Sequence, residues 1–210
     1  MTEAVLENPD LFDLTMSDEA QPLLDAVKKH IKENVDPITD EYHRLGEGRK
    51  EHWGYGDGQL ELLETAKQKA KDSGLWNFFL PDADTGEGLS NLDYAFIANE
   101  LGKSPLASET LNCSAPDTGN MEVLERVGTP EQKEQWLKPL LNGEIRSAFA
   151  MTEPAVPASD AKNVCTQAVL DGDEWVINGE KYYISGAGEP LCKIMITMVK
   201  TSPDAPAHKQ

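Results

Sequence analysis

Trp136-Leu137-Lys138-Pro139-Leu140-Leu141-Asn142-Gly143-Glu144-Ile145-Arg146-Ser147-Ala148-Phe149-Ala150-Met151-Thr152-Glu153-Pro154 is the stretch that decides the fold. Its first half places Trp136, Leu137, Leu140 and Leu141 at helical spacing and stops at Asn142-Gly143, a C-terminal helix signal. From Ile145 the period shortens, and β-branched and aromatic residues begin to alternate with polar ones. A helical region therefore gives way to a β region near Arg146. The expected class is α+β: an N-terminal all-α domain followed by an incomplete antiparallel β domain.

Working upstream, every periodic segment is helical. Thr129-Pro130-Glu131-Gln132 supplies an N-cap, a proline at the first helical position and a reciprocal glutamine. Met121, Val123, Leu124 and Val127 mark a helix ending at Gly128. Ser90 with Asp93 starts another that ends near Gly102. Leu60, Leu63, Ala66 and Ala70 define a helix over 59–73 with Gly74 as its stop. Leu24, Val27, Ile31, Val35 and Ile38 form one stripe, which Pro37 should kink or break near Glu33. The five-glycine segment 46–58 reads as a flexible loop, and Leu75 to Pro81 as a packed apolar connector. The expected organisation is an acidic arm over 1–16, a helical domain over 17–145 and the first part of a β domain over 146–210.

Downstream, Val164 to Leu170 is a strand candidate closed by Asp171-Gly172-Asp173. Asn178-Gly179, between Trp175-Val176-Ile177 and Lys181 to Ile184, predicts a hairpin. Ile194 to Val199 reads as a strand buried on both faces. A β domain ending there would leave a long apolar edge unpaired. The expectation is that chain beyond Gln210, or a partner, completes it.

Composition narrows the function. The formal net charge of −18, from 37 acidic against 19 basic residues in 210, argues against nucleic acid or an anionic membrane surface as partner. No apolar run approaches bilayer length and no secretory signal is visible. Cys113, Cys165 and Cys192 are odd in number and form no ligand pair, which fits a reducing, cytoplasmic compartment. The four histidines make no zinc motif, so no metal is expected. Gly54-Tyr55-Gly56-Asp57-Gly58 lies between helices, without the strand–turn–helix context of a dinucleotide fold.

Two stretches carry candidate chemistry. Ser147 to Pro154 places an aromatic, a methionine and a threonine hydroxyl at a strand end, where a flat ring with a polar edge could rest. Taken alone, it is equally a strand stopping at a proline. Gly179-Glu180-Lys181-Tyr182-Tyr183-Ile184-Ser185-Gly186 could lie beside it and turn an aromatic and a hydroxyl to the same ligand. Taken alone, it is a hairpin arm. Glu153, directly before Pro154, reads as structural rather than as a base.

The run from Gly128-Thr129-Pro130-Glu131-Gln132-Lys133 into Phe149-Ala150-Met151-Thr152-Glu153-Pro154, with the segment 171–188, resembles acyl-CoA dehydrogenases over most of the chain from about residue 20. The resemblance implies a helical domain, a middle β domain and a C-terminal helical bundle, the last absent here, usually assembled as a tetramer. It implies FAD held at Phe149, Ala150, Met151, Thr152, Ala158, Ser159, Tyr183, Ile184 and Ser185, with Ser159 also contacting the CoA part of the substrate. It further implies α,β-dehydrogenation of an acyl-CoA thioester with hydride passing to the flavin, and an electron-transfer flavoprotein as acceptor. The glutamate base would lie beyond Gln210, so no catalytic residue is assigned. The family's TEPDVASSDA reads here Thr152-Glu153-Pro154-Ala155-Val156-Pro157-Ala158-Ser159-Asp160-Ala161, losing a carboxylate at 155 and a hydroxyl at 158. Its frequent tryptophan is Tyr183. An acyl-CoA oxidase-like enzyme and a non-catalytic binding or assembly module are the alternatives.

Overall fold

The computed structural model describes residues 14–82 and 85–210. Most of the expected arm over 1–16 lies outside them. The chain divides into two compact units. One holds residues up to Glu51 together with Tyr55–Ser114, and the other holds His52–Gly54 together with Ala115–Gln210.

The first unit is helical, with α1 (Gln21–His30), α2 (Asp36–Glu47), α3 (Gln59–Asp72), α4 (Asn91–Leu101) and α5 (Ala107–Thr110). A single wide turn, Ile31–Val35, joins α1 to α2, and the Asp36 amide reaches back five residues to the Ile31 carbonyl. It ends two residues before Pro37, whose ring has no N–H to continue the ladder. The helix therefore passes the proline through a π turn rather than a break. Leu24, Val27, Ile31 and Val35 of the expected stripe are buried. The Ser90 hydroxyl caps α4, accepting from the Asp93 amide at 3.0 Å and donating to the Asp93 carboxylate at 2.7 Å.

The connector is packed as its composition requires, with Leu75, Phe78, Phe79 and Leu80 buried. Two left-handed asparagines fix it: Asn77 and Asn112 lie at φ 58° and 56°, and the Asn112 amide donates to the Asn77 carbonyl oxygen at 2.7 Å. The glycine loop is tighter than expected. α2 continues to Glu47, and a side chain on Gly56 would place Cβ 1.8 Å from the Leu45 carbonyl oxygen. This glycine is present because backbone meets backbone there.

In the second unit, α6 (Asp117–Val127), α7 (Pro130–Gln132) and α8 (Lys138–Leu141) precede β1 (Arg146–Ala150), β2 (Gln167–Asp171), β3 (Glu174–Asn178) and β4 (Cys192–Thr197). The Thr129/Gln132 capping box forms in both directions. A second π turn, Lys133–Leu137, ends two residues before Pro139, repeating the device at Pro37.

α6 is fastened to β1 by polar bonds. The Asp117 carboxylate accepts from the Ser147 amide at 2.7 Å, from the Ser147 hydroxyl at 2.5 Å and from Arg146 Nε. Asn120 Nδ2 donates to the Ser147 hydroxyl at 2.8 Å and to the Ala148 carbonyl at 3.1 Å.

The helical and β regions follow the expected order, while strand pairing differs in detail. β2 and β3 are antiparallel, but β1 and β4 run parallel, in register Ala148↔Met195 and Phe149↔Ile196. The two-residue turn is Gly172-Asp173, with Gly172 at φ 67°. Asn178-Gly179 makes no hairpin. Asn178 stays paired with Gln167, and Gly179 abuts Thr166, where an added Cβ would fall 2.3 Å from the hydroxyl. Residues 179–184 are not a strand. β4 is also not buried on both faces: its residues alternate between half-buried and exposed.

Candidate functional site

The segment after β3 leaves its neighbour because stronger partners lie elsewhere. Glu153 is buried and accepts from the Cys165 amide at 2.7 Å, the Thr166 amide at 2.9 Å, the Thr166 hydroxyl at 2.6 Å and the Lys181 ammonium at 2.8 Å. Lys181 Nζ donates also to the Met151 carbonyl at 3.1 Å, and the Tyr182 amide donates to the Thr152 carbonyl at 3.1 Å. These bonds lay Lys181–Tyr182 along Met151–Glu153. Burial raises the pKa of Glu153, but the bonds from Lys181, Thr166 and the Cys165 and Thr166 amides outweigh it and bring the carboxyl down to about 2. A carboxylate held by four donors is a structural clip and a poor proton acceptor.

Beyond the clip, Tyr183 sits at φ 54°, a left-handed conformation rare outside glycine, and is 86% exposed. Its ring lies 4.4 Å from that of Tyr182, tilted by 36°. A groove of about 900 Å³ opens here, lined by Tyr182, Tyr183, Ile184, Ser185, Met195 and Trp53 among others. Its one charged lining group, Lys181, is already engaged with Glu153 and the Met151 carbonyl. The remaining lining is aromatic, aliphatic or neutral polar, which suits a flat uncharged ring. That size is within the usual range for ligand clefts.

The predicted residues fall into three groups. Tyr183, Ile184 and Ser185 line the groove. Met151 and Thr152 are bonded through their carbonyls to the segment that leads into it, and Thr152 is exposed. Phe149 pairs with Ile196 while Ala148 pairs with Met195, so strand alternation puts Phe149 on the face away from Met195. Ala150 and Ala158 have buried side chains, and Ser159 is exposed in the turn after them. Both alanines are almost wholly out of solvent, and the Ala150 carbonyl already accepts from the Met198 amide at 3.0 Å.

Sequence reasoning missed Trp53, Met195 and the Glu153–Lys181 clip. The alternation within 192–197 marks Met195 as a candidate for an outward face. Trp53, inside a glycine-rich loop, carries no periodic signal at all. Burial pushes the Cys113 thiol up, so it is an inert core residue. Among the described residues, no group of three or more His, Cys, Asp or Glu side chains could hold a metal ion, and no helix is long and apolar enough to cross a membrane.

Comparisons with known proteins point to one family. The acyl-CoA dehydrogenase N-terminal domain pattern matches residues 17–144, and the acyl-CoA dehydrogenase middle domain pattern matches 148–210. The chain is 56% identical over 150 residues to the protein named Probable acyl-CoA dehydrogenase FadE2 of Mycobacterium tuberculosis, covering 71% of this chain and 36% of that protein. It is 46% identical over 194 residues to acyl-CoA dehydrogenase family member 11 of Mus musculus, covering 90% of this chain and 24% of that protein. A solved chain from Mycobacterium abscessus, whose assignment as an acyl-CoA dehydrogenase is provisional, superposes with a TM-score of 0.81 at 46% identity, over 91% of this chain and 48% of that one. The chain thus spans about a quarter to a third of these two curated relatives. With both domain patterns matched in sequence order and the fold shared, the chain belongs to the acyl-CoA dehydrogenase family.

Proposed function

We propose that this chain supplies one wall of the FAD site of an acyl-CoA dehydrogenase. The observation that carries the reading is the pair of bonds from Lys181 and Tyr182 to the Met151 and Thr152 carbonyls, both at 3.1 Å. They bring the two signature stretches side by side, although about 30 residues separate them in sequence.

The residues present fit the cofactor. A tricyclic ring needs a neutral, largely apolar surface with hydroxyls at its edge. Tyr183, Ile184 and Met195 offer the surface, and Thr152 and Ser185 offer hydroxyls. When bound, FAD would accept the hydride that leaves the β-carbon of an acyl-CoA thioester. Thr152 and Ser185 orient the ring edge, Tyr183 and Ile184 shield it from water, and Ser159 contacts the CoA part of the substrate. Glu153 moves no proton, because its lone pairs are occupied. The proton-abstracting glutamate, the electron-transfer flavoprotein that takes up the electrons, and a homo-oligomeric assembly belong to the same proposal and lie outside these residues.

The test is equilibrium binding of FAD to the purified chain, read by the visible flavin band. Tyr183→Ala should weaken binding about tenfold, since an aromatic face against a planar ring contributes roughly 1–3 kcal/mol. Binding to the wild type that Tyr183→Ala and Ser185→Ala both leave unaltered would refute the reading.

A further inference from the structure

Trp53 belongs to neither signature, yet it lines the groove together with Tyr183 and Met195. It lies in the His52–Gly54 tripeptide that is compact with the β unit. Its position is set locally. A Cβ built on Gly188 would fall 2.4, 2.5 and 2.6 Å from Cδ2, Cε2 and Cγ of the indole. Three contiguous ring atoms at nearly equal distance mean that Gly188 meets the face of the ring, and only glycine permits this approach. The His52 ring stands edge-on to it, at 5.1 Å and 90°. The indole is thus laid flat on backbone, yet it stays 52% exposed beside a groove that is otherwise lined with aromatic and neutral groups.

A tryptophan whose task was to cap glycine backbone would be better buried. One held flat and left half open is a ready stacking surface. We infer that Trp53 is a ligand-contacting residue whose indole stacks on a planar heteroaromatic ring bound in the groove, with Gly188 present to seat it. The ring is a flavin or an adenine, since both share that chemistry. The inference rests on the proposed FAD site and adds to it a wall outside both signature stretches.

The test titrates the whole chain with riboflavin 5′-phosphate, which has no adenine, and separately with ADP, which has no flavin. Direct binding and tryptophan emission are followed for the wild type, Trp53→Ala, Trp53→Phe and Tyr183→Ala. Trp53→Ala should raise the Kd for one ligand about tenfold. Trp53→Phe should keep it within about threefold while losing part of the ligand-induced quenching. A rise confined to riboflavin 5′-phosphate assigns the flavin ring, and one confined to ADP assigns adenine. If Tyr183→Ala is weakened while Trp53→Ala binds both ligands like the wild type, this inference is overturned and the FAD reading stands. If the wild type binds neither ligand, this inference falls, while the FAD reading stands or falls on the FAD titration. An unchanged melting temperature for Trp53→Ala shows that the comparison is between folded proteins.

Discussion

In the helical unit Phe78, Leu80, Ile97 and Leu111 are fully buried, and among the described residues only Leu14 and Phe96 stand out there as large exposed apolar side chains. The β-containing unit behaves differently. Val169, Leu170, Trp175, Val176 and Ile177 of the β2–β3 hairpin are all exposed, as are Tyr182, Tyr183 and Met195 around the groove. Apolar burial holds the first unit together. The layout of the second depends far more on buried polar bonds: Asp117 and Asn120 pin α6 to β1, and Glu153 pins three backbone segments. A surface shaped by hydrogen bonds can keep its apolar side chains open to a ligand. A surface shaped by burial cannot.

The contrast breaks most readily through large core deletions. Phe78→Ala should cost roughly 3–5 kcal/mol in urea unfolding, whereas Trp175→Ala, already half in water, should cost less than about 1 kcal/mol. Equal losses would mean that the hairpin face is not open in the protein. Next in size, Glu153→Gln should cost roughly 3 kcal/mol, because it leaves the Lys181 ammonium buried without its carboxylate. It should also weaken FAD binding, which Trp175→Ala should leave unchanged. Asn120→Ala, which removes two bonds to β1, should cost about 1–2 kcal/mol.

Acid sharpens the same comparison. The Glu153 carboxyl is held at about 2 against an ordinary 4.5, so the folded state resists protonation there more than the unfolded chain does. Its contribution is complete above about pH 4.5 and is lost as the pH falls towards 2. Acid titration of Glu153→Gln should therefore show a flatter stability profile over that window. In the helical unit a second group is shifted in the same direction, but for the opposite reason, since there the neutral form is the one favoured. Burial, reinforced by the Lys69 charge, lowers the pKa of His30 below its ordinary 6.5. The unfolded chain then takes up that proton first, so stability falls modestly as the pH drops below about 6.5. Replacing His30 with glutamine should remove this smaller dependence, as read by melting temperature against pH.

Much of this was legible in the sequence, where the local signal was chemically explicit. The Thr129 capping box, the Ser90 cap and the Gly74 stop are one-turn devices whose partners lie three or four residues away. The Asn178-Gly179 hairpin failed for the complementary reason. Its propensity is local, but Lys181 finds a carboxylate 28 residues upstream, and the long-range pair outweighs the turn. That same pair brought together the candidate stretches that periodicity alone could not connect. β4 misled because Ile194-Met195-Ile196 is an unbroken apolar run, although Lys193, two positions before Met195, marks the face the strand leaves open. Trp53 was illegible because its seat is the missing side chain of Gly188, 135 positions away by their numbers.

Amide hydrogen exchange with and without saturating FAD tests the flavin cradle most directly. Added cofactor should slow exchange at Met151–Thr152 and Lys181–Gly186 and leave Val169–Ile177 unchanged. Slowing confined to the β2–β3 hairpin, or none at either stretch while FAD is bound, would contradict the account.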